Sequence, residues 1–144
     1  MLYECGALGL GTTTAAAATI LTFATPGRVR LMELGSFNNA ATASTYGFGR
    51  PAAVGITPTT PKDFQAQDPT DALAASSLQL VVAGWGTGPT VPTTFMRTWA
   101  TGASVGSGVI WTWPRGLICA ISGNLVIWNQ ATNSAPQMYA VCEI

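Results

Sequence analysis

Apolar runs of strand length recur along this chain, set apart by Gly, Pro, Asn and Ser, and no stretch carries the spacing of a long amphipathic helix. That rhythm confines the fold to β architectures. Strands are expected at Ala18 to Phe23, Arg28 to Phe37, Ser44 to Phe48, Leu78 to Trp85, Phe95 to Ala100, Gly108 to Trp113, Leu117 to Ile121, Leu125 to Asn129 and Gln137 to Glu143. Between them, Thr25-Pro26-Gly27, Thr87-Gly88-Pro89, Trp113-Pro114-Arg115-Gly116 and Ser122-Gly123-Asn124 combine residues that fix φ or permit positive φ, so each is read as a turn. Many short strands with turn signals between them predict an all-β sandwich or barrel. At 144 residues the chain fits one domain, spanning residues 1–144, with a core that needs no disulfide or metal.

Two local patterns refine this reading. In Arg28 to Phe37 the alternation slips between Leu31 and Met32, placing Val29 and Leu31 in one phase and Met32 and Leu34 in the other, as a β-bulge would. In Leu125-Val126-Ile127-Trp128, and again in Met138 to Cys142, both phases are apolar. An antiparallel sheet with one face in water alternates apolar with polar, so these strands need cover on both sides. One cover is the opposite sheet; the other is most simply a second subunit, or alternatively the chain's own loops.

Charge sharpens the subunit reading. Charged residues make up 8% of the chain, six acidic and six basic, against roughly 25% in ordinary globular proteins. A surface so poor in charge, with zero net charge, favours association. Six scattered cations form no basic stripe, so nucleic acid is not an expected partner. Ala15 to Ala24 is too short to span a bilayer and is broken by Thr19 and Thr22; Glu4 stands where a targeting segment would be positive, so neither a membrane span nor a leader is read.

The one long stretch without strand character is Pro51 to Ser76, which carries four prolines together with Lys62, Asp63, Asp68 and Asp71. It reads as an arm or crossover that reaches a neighbour or as a tolerated insertion, with Thr70-Asp71 capping a short helical turn that runs to Ser76.

Most catalytic chemistry lacks its residues. There is no histidine, which removes Ser-His-Asp and Cys-His machinery and the commonest metal ligand sets. Gly102-Ala103-Ser104-Val105-Gly106 matches a nucleophile-elbow string without its base or its strand-to-helix setting. The carboxylates show no obvious glycosidase pair, and Asp63, Asp68 and Asp71 do not have calcium-loop spacing. Gly6, Gly9 and Gly11 stand in the wrong order for a dinucleotide loop. Cys5, Cys119 and Cys142 are odd in number and far apart, and read as buried thiols. No cofactor and no enzyme activity are expected. Trp111 and Trp113 share one side of a strand; they suit a core or a subunit contact, and less readily a sugar-stacking platform.

Four segments carry a family resemblance: Arg28-Val29-Arg30-Leu31-Met32-Glu33-Leu34-Gly35-Ser36-Phe37, Tyr46-Gly47-Phe48-Gly49-Arg50-Pro51, Trp113-Pro114-Arg115-Gly116-Leu117 and Gly123-Asn124-Leu125-Val126-Ile127-Trp128-Asn129. Through them the chain resembles small jelly-roll proteins of tailed bacteriophages, including the capsid cement or decoration proteins of cyanophages. The resemblance implies an antiparallel two-sheet jelly roll like that of tumour necrosis factor, a homotrimer, and a place on the outer surface of the virion where major capsid proteins meet, after synthesis in the host cytoplasm. The same fold serves in tail fibres and in receptor- or glycan-binding tips, which is the alternative role. Val126, Trp128, Trp111, Trp113 and Tyr139 are the expected anchors, divided between core and trimer seam, and Arg50, Arg97 and Arg115 are expected in salt bridges or interface hydrogen bonds.

Overall fold

The computed structural model describes residues 1–7, 18–23, 29–53, 62–71, 78–81, 89–119, 124–130 and 136–144. Among them it contains no helix and eleven strands: β1 (Leu2–Ala7), β2 (Ala18–Phe23), β3 (Val29–Asn38), β4 (Ser44–Gly49), β5 (Lys62–Asp63), β6 (Gln65–Ala66), β7 (Leu78–Val81), β8 (Arg97–Thr101), β9 (Gly108–Cys119), β10 (Asn124–Asn129) and β11 (Pro136–Glu143). They form two antiparallel sheets, a five-stranded one in the order β6-β1-β11-β3-β9 and a six-stranded one in the order β5-β7-β2-β10-β4-β8. The all-β sandwich-like architecture expected from the strand rhythm is present.

The core lies between the sheets. Leu31, Leu34, Phe48, Leu80, Leu125 and Ala140 are almost fully buried there, and removing each large apolar side chain from water contributes roughly 1.5 to 3 kcal/mol. In β3 the buried positions are Val29 and Leu31, then Leu34, Ser36 and Asn38, so the inward phase changes by one residue at Met32. Met32 is skipped in the pairing with β9, where Leu31 faces Leu117 and Glu33 faces Thr112, and the register with β11 shifts at the same place. This is the bulge the broken alternation predicts. It lets Val29 and Leu31 share the core with Leu34, while Met32 drops out of the pairing.

Trp113-Pro114-Arg115-Gly116 does not end a strand as expected. The pairing of Leu117 with Leu31 and of Thr112 with Glu33 leaves these residues as a wide bulge inside one long strand, β9. The turn chemistry is used locally, since Gly116 has φ of 68° and a Cβ there would meet Arg30 Cβ at 2.6 Å and Met32 Sδ at 2.9 Å. The two bulges are nested, and the strand resumes on the far side.

Strands were also missed. β1 pairs with β11 from Leu2↔Glu143 to Ala7↔Met138. Residues 1 and 144 meet there, the Met1 amino group donating to the Ile144 carbonyl at 3.4 Å and the Ile144 N–H to the Met1 carbonyl at 3.1 Å. Within Pro51 to Ser76, β5 pairs with β7 and β6 with β1, with Phe64 buried between them. Ala53 forms a bridge to Thr90. The described part of this segment is therefore stitched to its own chain and closes one edge of the sandwich. Asp68, rather than Thr70 or Asp71, caps a turn: Thr70 N–H and Oγ1 donate to its Oδ1 at 2.8 and 2.7 Å, which holds the Asp68 carboxyl below its usual pKa. The expected helical turn falls largely on 72–77, outside the described residues, as do the ends of the strands expected to reach Trp85 and Ile121.

One buried polar residue ties two loops to the sandwich. Asn38 Nδ2 donates to the carbonyls of Thr42 at 3.0 Å and Gly102 at 2.9 Å, and its Oδ1 accepts from Tyr46 Oη at 3.2 Å. Its backbone binds the turn between β8 and β9 through Ser107 O and Gly106 N. Ser104 lies exposed on that turn.

Candidate functional site

The expected anchors fall into three settings. Val126 and Trp128 lie on the outer side of β10, both with no exposed surface, and are covered by Val91 and Phe95 of the same chain. The Phe95 ring centre is 5.6 Å from that of Trp128, and the same ring lies over Gly47, where a Cβ would meet Phe95 Cε1 at 2.6 Å. This corrects the reading of β10: its doubly apolar pattern is answered by the chain's own loop, so Val126 and Trp128 are core residues and not seam residues. A lid carrying only Val91 and Phe95 as apolar anchors gives little signal in the sequence.

Trp111 and Trp113 project to one side of β9, as the alternation requires, into an aromatic layer at the edge where β9 and β8 meet. Trp113 packs 5.7 Å from Phe48, Trp111 lies edge-on to Trp99 at 6.4 Å, and Trp99 stacks on Tyr46 at 5.5 Å. The outermost member is Arg97, half-buried, with Cζ 4.4 Å from the Trp111 ring centre and 5.3 Å from that of Trp113. Such contacts contribute roughly 0.5 to 2 kcal/mol and hold a guanidinium in one place. The Nε1 atoms of Trp99 and Trp111 are buried without a partner among the described residues. A sugar platform needs open ring faces and reachable donors. Here Arg97 covers the Trp111 face and the indole N–H is closed off.

The arginines differ. Arg50 Nη2 donates to the Ile118 carbonyl at 2.8 Å, pinning the end of β4 to β9. Arg115 is exposed on the β9 bulge. Arg97 pairs with no carboxylate of the chain, although all six acidic residues are among those described.

Tyr139 belongs to a different surface, the outer face of the five-stranded sheet. It is half-buried, its ring lies over Gly35 so that a Cβ there would collide with it, and its hydroxyl donates to Glu33 Oε1 at 2.6 Å. That bond to a carboxylate, with burial added, pushes the phenol up to about 12. Across this face the register sets Gly6, Tyr139, Gly35 and Ile110 in one row, and Leu2, Glu143, Arg30 and Ile118 in another. Leu2, Ile110 and Ile118 keep 39%, 55% and 42% of their surface in water, high values for large aliphatic residues in paired strands. Outward residues that alternation alone would call polar are apolar here, and that signal was available in the sequence at Ile110 and Ile118.

Cys5 and Cys142 are buried thiols, and burial raises that of Cys5 to about 11; the Cys119 side chain lies outside the described residues. Among the described residues no group of three or more metal-ligating side chains occurs, and no helix is long and apolar enough to cross a membrane. No family model, curated protein or solved structure matches this chain.

Proposed function

We propose that the chain is a non-enzymatic structural protein of a virion, a trimeric jelly-roll cement protein that binds the outer surface of a capsid and holds neighbouring major capsid proteins together. Support for the jelly roll comes from strand order. With the short β5 to β7 set aside, the sheets read β1-β11-β3-β9 and β2-β10-β4-β8, so the first and last strands neighbour each other in one sheet and the second and second-last in the other. Two Greek keys wrapped together have this arrangement.

The observation that carries the assembly reading is the outer face of the five-stranded sheet. In a chain with only twelve charged residues, that face leaves Leu2, Ile110 and Ile118 in water around the bonded Tyr139–Glu33 pair. The six-stranded sheet is closed over β10 by its own loop, so the five-stranded sheet is the one to pack against other copies. The mechanism is mechanical. A trimer that grips several capsid subunits at once gains by effective concentration, so weak single contacts add up to firm retention.

Light scattering on purified protein should return three times the 14.9 kDa chain mass, and Ile110→Glu should lower it. A strict monomer at micromolar concentration contradicts the reading. A protein census of purified virions tests the location: many copies per shell mark a cement protein, a handful a tail component, and none removes the virion role.

A further inference from the structure

Most of the charges placed among the described residues lie towards opposite edges of the sandwich, Glu33 on β3 and Glu143 on β11 excepted. Strands β5 and β6 close one edge, β8 and β9 the other. Asp63 lies on β5, Asp68 and Asp71 follow β6, and Glu4 faces Gln65 of β6 across the β1 pairing. Four of the six acidic residues are thus gathered there, with Lys62 the only cationic side chain beside them among the described residues. The turn is fixed to this edge, since Gln67 N–H donates to the Leu2 carbonyl at 2.9 Å. Across the molecule, Arg97 stands on β8, Arg115 on β9, Arg50 is bonded to Ile118 of β9, and Arg30 faces that same Ile118 from β3. The net charge of zero therefore conceals a separation across the width of the sandwich.

Arg97 gives this edge a specific acceptor site. Its guanidinium carbon lies over two indole rings, and it meets no carboxylate of its own chain among the described residues. A fixed planar fork of N–H donors suits bidentate binding of a carboxylate, and holding it in advance reduces the ordering cost of binding.

We propose that the β8/β9 edge is the docking surface for the acidic β5/β6 edge of a second copy of this chain, with Arg97 receiving one of its carboxylates. The proposal rests on the self-assembly reading above and adds an edge contact to the one proposed for the outer face of the five-stranded sheet. When identical protomers close a ring around an axis, the interface is heterologous: one edge of each meets the opposite edge of the next. A protomer with like charges on both edges would resist that closure, whereas one with opposite charges is steered into it.

Two variants test this, Arg97→Glu and the doubly substituted Asp63→Lys/Asp71→Lys, each checked for an unchanged far-ultraviolet spectrum and studied by sedimentation across protein concentration. Each alone is expected to weaken self-association about tenfold or more, and an equimolar mixture to recover part of it, because two of the three contacts in a mixed trimer then join opposite edges while the third still joins like ones. Raising sodium chloride from about 0.05 M to about 1 M should weaken the unmodified protein in the same direction. Oligomers indifferent to salt and to both variants overturn the edge contact while leaving self-assembly standing. Variants that weaken alone but fail to recover when mixed overturn the pairing of these two edges. An unmodified protein that stays monomeric at low salt removes both the contact and the assembly reading.

Discussion

Asn38 shows how much a single buried side chain can settle. Its amide satisfies two loop carbonyls and its oxygen one phenol, at a site with almost no access to water. Asn38→Ala removes all three bonds, and the expected loss is about 2 to 3 kcal/mol, read as a lower denaturant midpoint at constant slope. Tyr139 gives a pH signature. Its neutral phenol is favoured in the folded state, so the stability this contributes is fully present below about pH 10, the ordinary tyrosine value, and is lost as the pH rises towards about 12. Cys5 acts in the same direction in a lower window, between 9.0 and about 11. Tyr139→Phe should remove the tyrosine part of the alkaline loss and cost about 1 kcal/mol at neutral pH, the low end for a bond to a carboxylate because the pair is only partly buried. Urea titrations at a series of pH values separate the two. An unchanged alkaline profile in the Phe variant would mean that the Glu33 bond is not what holds the phenol neutral.

Among the elements, legibility followed side-chain periodicity. The β3 bulge was readable because Val29 and Leu31 stand in the opposite phase to Leu34 and can share its core only if a residue is skipped, and Met32 is that residue. The turn read at Trp113 to Gly116 was right about local backbone and wrong about consequence. Sequence shows that the chain bends there, not that Leu117 regains its pairing with Leu31 beyond the bend. β1 was missed although Tyr3 and Cys5 are buried while Leu2, Glu4 and Gly6 are exposed, a period of two that was there to be seen. β5 and β6 are two residues each, anchored by Phe64 with Ala66 beside it, and carry too few side chains for any pattern. The lid over β10 was equally silent, and it can be tested. Phe95→Ala should uncover Trp128, shift tryptophan emission to longer wavelength and cost about 2 to 3 kcal/mol, below the range for a fully buried phenylalanine because the Phe95 ring is itself partly exposed.

At the scale of the whole molecule, the low charge count and the doubly apolar strands correctly required that both sides of β10 be covered, but neither could name the cover. Val126 and Trp128 are shielded by residues more than thirty positions away in sequence, and from a list of strands that is indistinguishable from shielding by another chain. The outward Ile110 and Ile118, which no part of the described chain shields fully, carry the proposed association, whereas the most hydrophobic strand is covered by its own chain. Edge charge was legible only after topology, since Glu4 and Asp68, or Arg30 and Arg115, become neighbours through pairing across the fold.

The union of β1 with β11 also fixes an order of events in time. A ribosome must deliver residues 136–143 before the strand at the start of the chain can find its neighbour and before β3 gains its second one, so the five-stranded layer is the last to close. Such remote pairing makes for slow maturation. It also means that the outer face proposed for assembly is complete only once β11 has been made.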